Sequence, residues 1–298
     1  MLQHRPVIQS FAKMASTSSA LPEYEVEQKF SLSSAEETLQ IEGRLRELGF
    51  EKMKSPDVRM VDWYWDDIAD TWALTRQDCW LRLREVQMEG DSAKKWNWQL
   101  KLGRTVPTKK ESNELATVYE EISGTEAVSR AMSIMFSSQK KSGLDIHNQR
   151  QRSENLLAML DLYKTRTDYQ LPREMLCPDE DQHTPLLGPF AMIETTRSTW
   201  ISSDACSSTE FKHLKIDFDN ATYGPLFDGV YAVGEVEEVV HDENDIEYAR
   251  SRVQTFTKLL VGSENENKGN IPVGKLENFM MQHRPEHFQA LVDNGIMS

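Results

Sequence analysis

The chain has 298 residues, with 48 Asp and Glu against 34 Lys and Arg and a net charge of −14 at pH 7, a balance that argues against nucleic acid or an anionic membrane as a general partner. Its 39% hydrophobic content is that of an ordinary globular protein, and no apolar run approaches the roughly 20 residues of a membrane-spanning helix. Cys79, Cys177 and Cys206 are odd in number, far apart and in no CxxC pair, so neither a disulfide framework nor a cysteine zinc site is indicated, and a reducing, cytoplasmic compartment fits.

Residues 1–22 carry no acidic residue, several Ser and only Arg5 and Lys13 as firm positive charges; they read as a disordered tail rather than a transit peptide. The rest, 23–298, reads as a single domain. It opens with Glu25-Val26-Glu27-Gln28-Lys29, where three charged residues at two-residue spacing share one face of a strand. Ser33-Ser34-Ala35-Glu36-Glu37 then offers a serine cap with acids in the first turn, and Leu39, Leu45 and Leu48 give a covering helix that Gly49 stops. From Val58 to Asp66 period two returns, with Asp62, Tyr64 and Asp66 opposite Trp63 and Trp65. The next strand, Cys79 to Val86, puts Trp80, Arg82 and Arg84 on one face; after a turn at Glu89 to Ser92, Asn97, Gln99 and Lys101 alternate with Trp96, Trp98 and Leu100.

Beyond Gly103 a charged loop, Thr105 to Glu114, leads to a strand at Val118 to Ile122 with Tyr119 and Glu121 on one face. Residues 125–160 are helical in character, with a break near Ser142-Gly143 and a second helix marked by Leu156, Leu157 and Leu160. Leu162 to Tyr169 reads as a strand, and Pro172 to Pro189 as a loop holding the acidic cluster Asp179-Glu180-Asp181 and a surface His183. Strands follow at Phe190 to Trp200, at Phe211 to Phe218, where Asp217 and the adjoining Asp219 alternate with Ile216 and Phe218, and at Val230 to Val240, which carries Glu235 and Glu237. A helix from Asp242 to Leu260 and a Gly/Asn/Glu-rich loop to Gly274 complete the chain as far as Lys275.

In each strand one face is bulky and apolar while the other is charged or polar, so the first must be covered and the second must look at something. A closed barrel resolves this: the apolar faces pack outward under helices and the charged faces line a lumen. Such a lumen holds carboxylates for metal ions beside Lys and Arg for anionic oxygens, which is the make-up of a metal-dependent polyphosphate site.

These residues also carry a resemblance. Glu25 to Lys29 resembles the ExExK signature of the CYTH superfamily, the triphosphate tunnel metalloenzymes. The strings at Trp80 to Glu85, Trp98 to Lys101, Thr196 to Trp200, Tyr231 to Glu237 and Gly274-Lys275-Leu276 follow in that family's order. The resemblance implies an α+β fold, an eight-stranded antiparallel barrel open as a tunnel with helices packed outside, and insertions near 125–190 and 220–229. It further implies Mg²⁺-dependent, with Mn²⁺ as alternative, hydrolysis of thiamine triphosphate to thiamine diphosphate and phosphate by a monomer that takes a small triphosphate substrate. The rival readings are an inorganic tripolyphosphatase and a polyphosphate-binding module without turnover.

On this reading Glu25, Glu27, Asp217, Asp219, Glu235 and Glu237 are the metal carboxylates, with no assignment of ion to residue. Arg82, Arg84 and Arg197 bind phosphate oxygens, Lys29, Lys101 and Lys275 act as compact charges, and Glu121 is a further lumen residue of open role. The family pattern maps onto a Lys29–Tyr64 pair that orients water, which calls for a Lys29 of lowered pKa, and onto Trp80 as an aromatic platform for the thiamine ring. Thr165-Arg166-Thr167 competes with Thr196-Arg197 for the tunnel arginine; Arg197 is preferred because Ser198-Thr199-Trp200 follows it and its spacing to Asp217 suits the family.

Overall fold

The computed structural model describes residues 22–297 except 55–56, 68–70, 88–93, 105–115, 143–153, 168, 173–174, 176–186, 204–208 and 263–271. The N-terminal tail, the turn at 89–92, the loop at 105–114, the break at 142–143, the acidic cluster at 179–181, His183, Cys177 and Cys206 lie wholly or largely outside these residues.

Nine strands are described: β1 (Glu23–Ser31), β2 (Phe50–Lys52), β3 (Val58–Asp67), β4 (Cys79–Gln87), β5 (Lys95–Gly103), β6 (Thr117–Ser123), β7 (Leu187–Ser202), β8 (Lys215–Thr222) and β9 (Val230–Val240). They form one antiparallel sheet in the order β2-β7-β3-β4-β5-β6-β1-β9-β8, and a further β7–β8 pairing joins its ends. Leaving aside the short β2 on the flank of β7, eight strands close on themselves, as the alternation predicted; closure removes the unpaired edges an open sheet would expose.

The period-two pattern decides which face goes where. On one flank Val26, Phe30, Ile216, Phe218 and Val236 point outward and are covered by Ile41 and Leu45 of α1 (Ala35–Glu47) and by Val253, Phe256 and Leu260 of α4 (Ile246–Val261). Ser34 caps α1 through its hydroxyl to the Glu37 amide at 3.1 Å, as its sequence predicted. At Gly234 an added Cβ would fall 2.0 Å from the Phe30 ring, so only glycine lets β9 lie this close to β1. On the other flank Trp63, Trp65, Leu81, Leu83, Trp98 and Leu100 lie beneath Val128, Met132 and Met135 of α2 (Thr125–Ser142) and Met159 and Tyr163 of α3 (Glu154–Arg166). The outward tryptophans are thus core, as expected.

Three readings need correction. The strand read at Phe211 to Phe218 begins only at Lys215, after a 3-10 turn at Thr209–Phe211, and runs on to Thr222. Leu162 to Arg166, read as the start of a strand, belongs to α3, because Met159 and Tyr163, four apart, share the face beneath Trp63 and Trp65. The segment after Gly274 holds two helices that the alternation did not foretell, α5 (Lys275–His283) and α6 (Pro285–Asp293). Their Phe279, Met280 and Leu291 form one cluster with Tyr64, Trp80, Ala191, Ile193 and Ala221, residues on the inward faces of β3, β4, β7 and β8. This helix pair therefore packs over one end of the barrel, while α1 to α4 cover its sides. No helix among the described residues is long and apolar enough to cross a membrane.

Candidate functional site

Register brings the charged faces together. Glu27 pairs with Glu237 and Lys29 with Glu235 across β1–β9, Asp217 with Glu235 across β8–β9, and Arg197 with Asp219 across β7–β8. Directly opposed residues share a face, so these side chains converge on the lumen with Arg82, Arg84 and Lys101 from β4 and β5. All six acids named as metal ligands are buried.

Arg197 is the hub of one side. Its Nε and Nη2 donate to the two carboxylate oxygens of Asp219 at 2.7 and 2.6 Å, its Nη1 to Asp217 at 2.6 Å, and its Nη2 also to Glu235 at 3.1 Å. Lys275, the first residue of α5, reaches in to bond Asp219 and lies 3.7 Å from Glu235. Burial alone would raise these acids; Lys275 first and then Arg197 hold Asp219 below its ordinary value, while Lys275, Lys29 and Arg197 hold Glu235 well below. Arg166 is exposed on α3 and pairs with Glu194 at 2.7 Å, on the flank of the barrel. Arg197 is accordingly the arginine that faces the lumen.

On the other side Arg84 clasps Asp62 with Nε at 2.6 Å and Nη2 at 2.7 Å, and Arg82 donates to Gln99 at 2.9 Å. The two guanidiniums outweigh burial and keep Asp62 far below the usual carboxylate range. Lys101 lies 2.5 Å from Glu25 and 3.3 Å from Glu27, and Glu121 is 3.7 Å from Arg82.

The Lys29–Tyr64 pair takes a different form. Lys29 bonds Glu27 and lies in the field of Glu235 and Tyr119; although burial works against its charge, these acids hold its pKa well above the ordinary lysine value rather than below it. Tyr64 stands beside Arg82 and packs on Phe190 with ring centroids 6.4 Å apart. Alternation told which face each residue takes but not which neighbour it meets across the lumen. Tyr119, read as inward-facing, and Tyr231 are tyrosines near Lys29. Asp66, grouped with Asp62 and Tyr64 by period, instead accepts from the Leu74 and Thr75 amides, both at 3.0 Å, and so serves the β3–β4 connection.

Trp80 is where alternation puts it, on the face of Arg82, but only 9% exposed. It is packed in the cluster of Tyr64, Phe279 and Met280, with its indole N–H donating to Asp78 at 2.7 Å.

Lys215 was missed, although it precedes Asp217 by two residues and shares its face. It lies 2.5 Å from Glu237 and 3.1 Å from Asp217. Even so, burial, with the like charges of Glu25 and Asp217, pushes Glu237 up to about 7. Among the described residues no group of three or more His, Cys, Asp or Glu is gathered as a ready metal cage. The donor chemistry nonetheless fits Mg²⁺ or Mn²⁺: the ligands are all hard carboxylate oxygens, and the mutual repulsion of Glu25, Asp217 and Glu237 is of the kind a divalent cation relieves.

No family model matches the chain. Thiamine-triphosphatase of Homo sapiens is 29% identical over 113 residues, 36% of this chain and 45% of that protein, and thiamine-triphosphatase of Macaca fascicularis is 29% identical over 107 residues, 36% and 42% respectively. The chain thus matches less than half the length of these curated relatives. Among solved structures, the PH1819 protein of Pyrococcus horikoshii OT3 has a TM-score of 0.42 at 14% identity, covering 80% of this chain and 89% of that one. HpAC1 of Hippeastrum, whose structure is described as revealing a dominant triphosphatase activity, has a TM-score of 0.42 at 14% identity, covering 87% and 96%. Over about a third of its sequence, then, the chain is similar to thiamine-triphosphatases, in agreement with the resemblance carried by its strand motifs.

Proposed function

We propose that this chain is a metal-dependent hydrolase that converts thiamine triphosphate to thiamine diphosphate and phosphate inside the barrel. The observation that carries the proposal is the convergence in one closed lumen of Arg82, Arg84, Arg197, Lys29, Lys101 and Lys275 with six buried carboxylates. Phosphoryl transfer asks a protein mainly to position charge of both signs.

Without ligand, Arg84 is held by Asp62 and Arg197 by Asp217, Asp219 and Glu235. A triphosphate offers the bases oxygens that compete with Asp62, Asp217, Asp219 and Glu235, and every acid so released is free for a divalent cation. Anion and cation therefore favour each other's binding. Glu25, Glu27, Asp217, Asp219, Glu235 and Glu237 would hold the Mg²⁺ or Mn²⁺, which supplies charge neutralisation at the phosphates and orientation of water. The arginines grip phosphate oxygens bidentately, and Lys29, which bonds Glu27 in the ligand-free lumen, faces the phosphates as a compact charge.

Inorganic tripolyphosphate is the second reading, because every one of these charges addresses phosphate alone. Phosphate release from thiamine triphosphate, tripolyphosphate and ATP, each with Mg²⁺, Mn²⁺ or excess chelator, separates the cases. Release that survives full chelation refutes the carboxylate–metal assignment, and tight binding without release from any of the three leaves only a binding module.

A further inference from the structure

Outside the lumen, one buried polar chain ties the helix pair α5–α6 to the barrel. His287 of α6 is 1% exposed, and its Nε2 lies 2.8 Å from Thr75 Oγ1 in the short 3-10 turn Thr75–Gln77 that precedes β4. Thr75 Oγ1 donates its single hydrogen to Asp66 Oδ2 at 2.7 Å. Asp66 also accepts from the amides of Asp67, Leu74 and Thr75 at 2.8, 3.0 and 3.0 Å. Burial and then the neighbouring Asp67 push Asp66 up to about 7, against the pull of these donors. With its hydrogen given to Asp66, the Thr75 hydroxyl accepts from His287, which calls for the Nε2–H tautomer of a neutral imidazole. The ring lies flat on Trp72, centroids 4.8 Å apart and planes 7° apart, and meets the edge of Phe190 at 4.8 Å. At the corner between the helices Arg284 donates to the Phe190 carbonyl at 3.2 Å.

The elements these groups join reach the lumen charges. α5 begins at Lys275 on Asp219; a Cβ at the preceding Gly274 would sit 3.2 Å from Lys29 Cε. Two turns of helix and the Arg284 corner separate Lys275 from His287, and a helix carries a displacement at one end to the other.

We propose that Thr75 and His287 form a latch that positions Lys275: their hydrogen bond holds the α5–α6 pair on the end of the barrel and thereby sets where the lysine meets the lumen. The consequence for ligand rests on the reading of Lys275 as a phosphate-binding residue; the latch itself does not.

The test uses the full chain and four variants. Thr75→Val deletes the hydroxyl at constant shape, Thr75→Ser restores it, His287→Phe keeps the stack on Trp72 while removing the bond, and Lys275→Ala removes the positioned group. A net hydrogen bond of this kind changes an opening equilibrium about 2- to 10-fold. Amide exchange of residues 275–293 is expected to quicken by that factor in Thr75→Val and His287→Phe and to stay at the wild-type rate in Thr75→Ser. Tripolyphosphate affinity is expected to weaken 2- to 10-fold in the first two, and to lose nothing more when either is added to Lys275→Ala. Unchanged exchange in both bond-deleting variants overturns the latch, and a full additional loss of affinity in the Lys275→Ala background overturns its action through Lys275. If Thr75→Val does not fold, His287→Phe carries the same comparison. A wild-type chain that binds no tripolyphosphate refutes the proposed function instead, and the exchange data still decide the latch.

Discussion

Replacing Arg197 by alanine removes the partner shared by Asp217, Asp219 and Glu235. Stripping one partner from a buried ion pair costs about 3–5 kcal/mol, because the remaining charge is left desolvated. Here the loss is softened: Lys275 still reaches Asp219 and Glu235, and Thr199 still donates to Asp217 at 2.6 Å. The expected destabilisation in chelator is therefore about 2–4 kcal/mol, read from urea unfolding at pH 7. Asp219 and Glu235 have lowered pKa values in the fold, so the stability that pairing contributes is present above the ordinary carboxylate range and disappears as pH falls through the folded values. The gap between variant and wild type should thus narrow on acidification. Phosphate release should fall on the order of 10²- to 10³-fold, the loss seen when one aligned donor to a developing charge is deleted. Arg166→Ala is the control: its exposed pair with Glu194 is worth about 0–1 kcal/mol, and release should be unchanged. Loss of release in Arg166→Ala with none in Arg197→Ala would refute the assignment of the tunnel arginine and the reasoning from register behind it.

Glu25→Gln and Glu237→Gln should each reduce phosphate release strongly, while Glu237→Gln in chelator melts no lower than wild type, since it takes one charge from the crowd of Glu25, Asp217 and Glu237; a lower melting temperature contradicts that repulsion. Trp80→Leu, which keeps apolar bulk but removes the ring face, should cost roughly 2- to 30-fold in kcat/KM for thiamine triphosphate, the range of a cation–π contact worth about 0.5 to 2 kcal/mol, and leave tripolyphosphate unaffected. An equal loss for both substrates would make Trp80 purely structural, as its contacts with Tyr64 and Met280 allow. His287 is lowered to about 3, by burial first and then by Arg284 and Arg76. Because the unfolded chain takes up that proton near 6.5 and the folded chain does not, the His287 contribution to stability should fall by roughly 1 kcal/mol between pH 7 and 5.5, opposite in sign to that of Glu237, which takes up a proton in the fold near 7; subtracting the His287→Phe profile from that of the wild type should isolate the fall.

The barrel was legible because its signal is the simplest one a sequence can carry. Period two, repeated from Glu25 to Glu237, fixes two faces per strand, and Trp63, Trp65 and Trp98 could only be the covered one. The lumen inventory followed from the same pattern, Lys215 included, had the alternation through Asp217 and Asp219 been carried two residues further back. What the pattern does not contain is who meets whom across the barrel, since that depends on strand stagger rather than on facing. The Lys29–Tyr64 pair came from the family pattern and not from alternation, and in the ligand-free lumen Lys29 has Glu27, Glu235 and Tyr119 as neighbours. The helix α3 was misread around Leu162 to Arg166 because Tyr163, Thr165 and Thr167 have the residue types of a strand, and only the packing of Met159 and Tyr163 under the tryptophans overrides them. The cap α5–α6 gave no warning because its helices are short and each buries few side chains.

The charges in the lumen are an expensive way to fill a barrel. Shape-matched apolar residues in place of buried ion pairs are often neutral or stabilising by about 1–4 kcal/mol, and the two outer layers of this chain show that it has ample apolar packing at its disposal. A lumen that served only to hold the strands together would also be expected to pair its charges to completion. Arg84 with Asp62 and Arg197 with Asp219 come close to that. Glu237 does not: burial first, and then the like charges of Glu25 and Asp217, leave it at about 7 even with Lys215 beside it at 2.5 Å. The shortage lies with the acids of β1, β8 and β9, and the bases best placed to leave their partners lie on β4, β5, β7 and α5. A ligand that is at once polyanion and cation carrier completes both sides together, which neither an apolar molecule nor a bare anion can do.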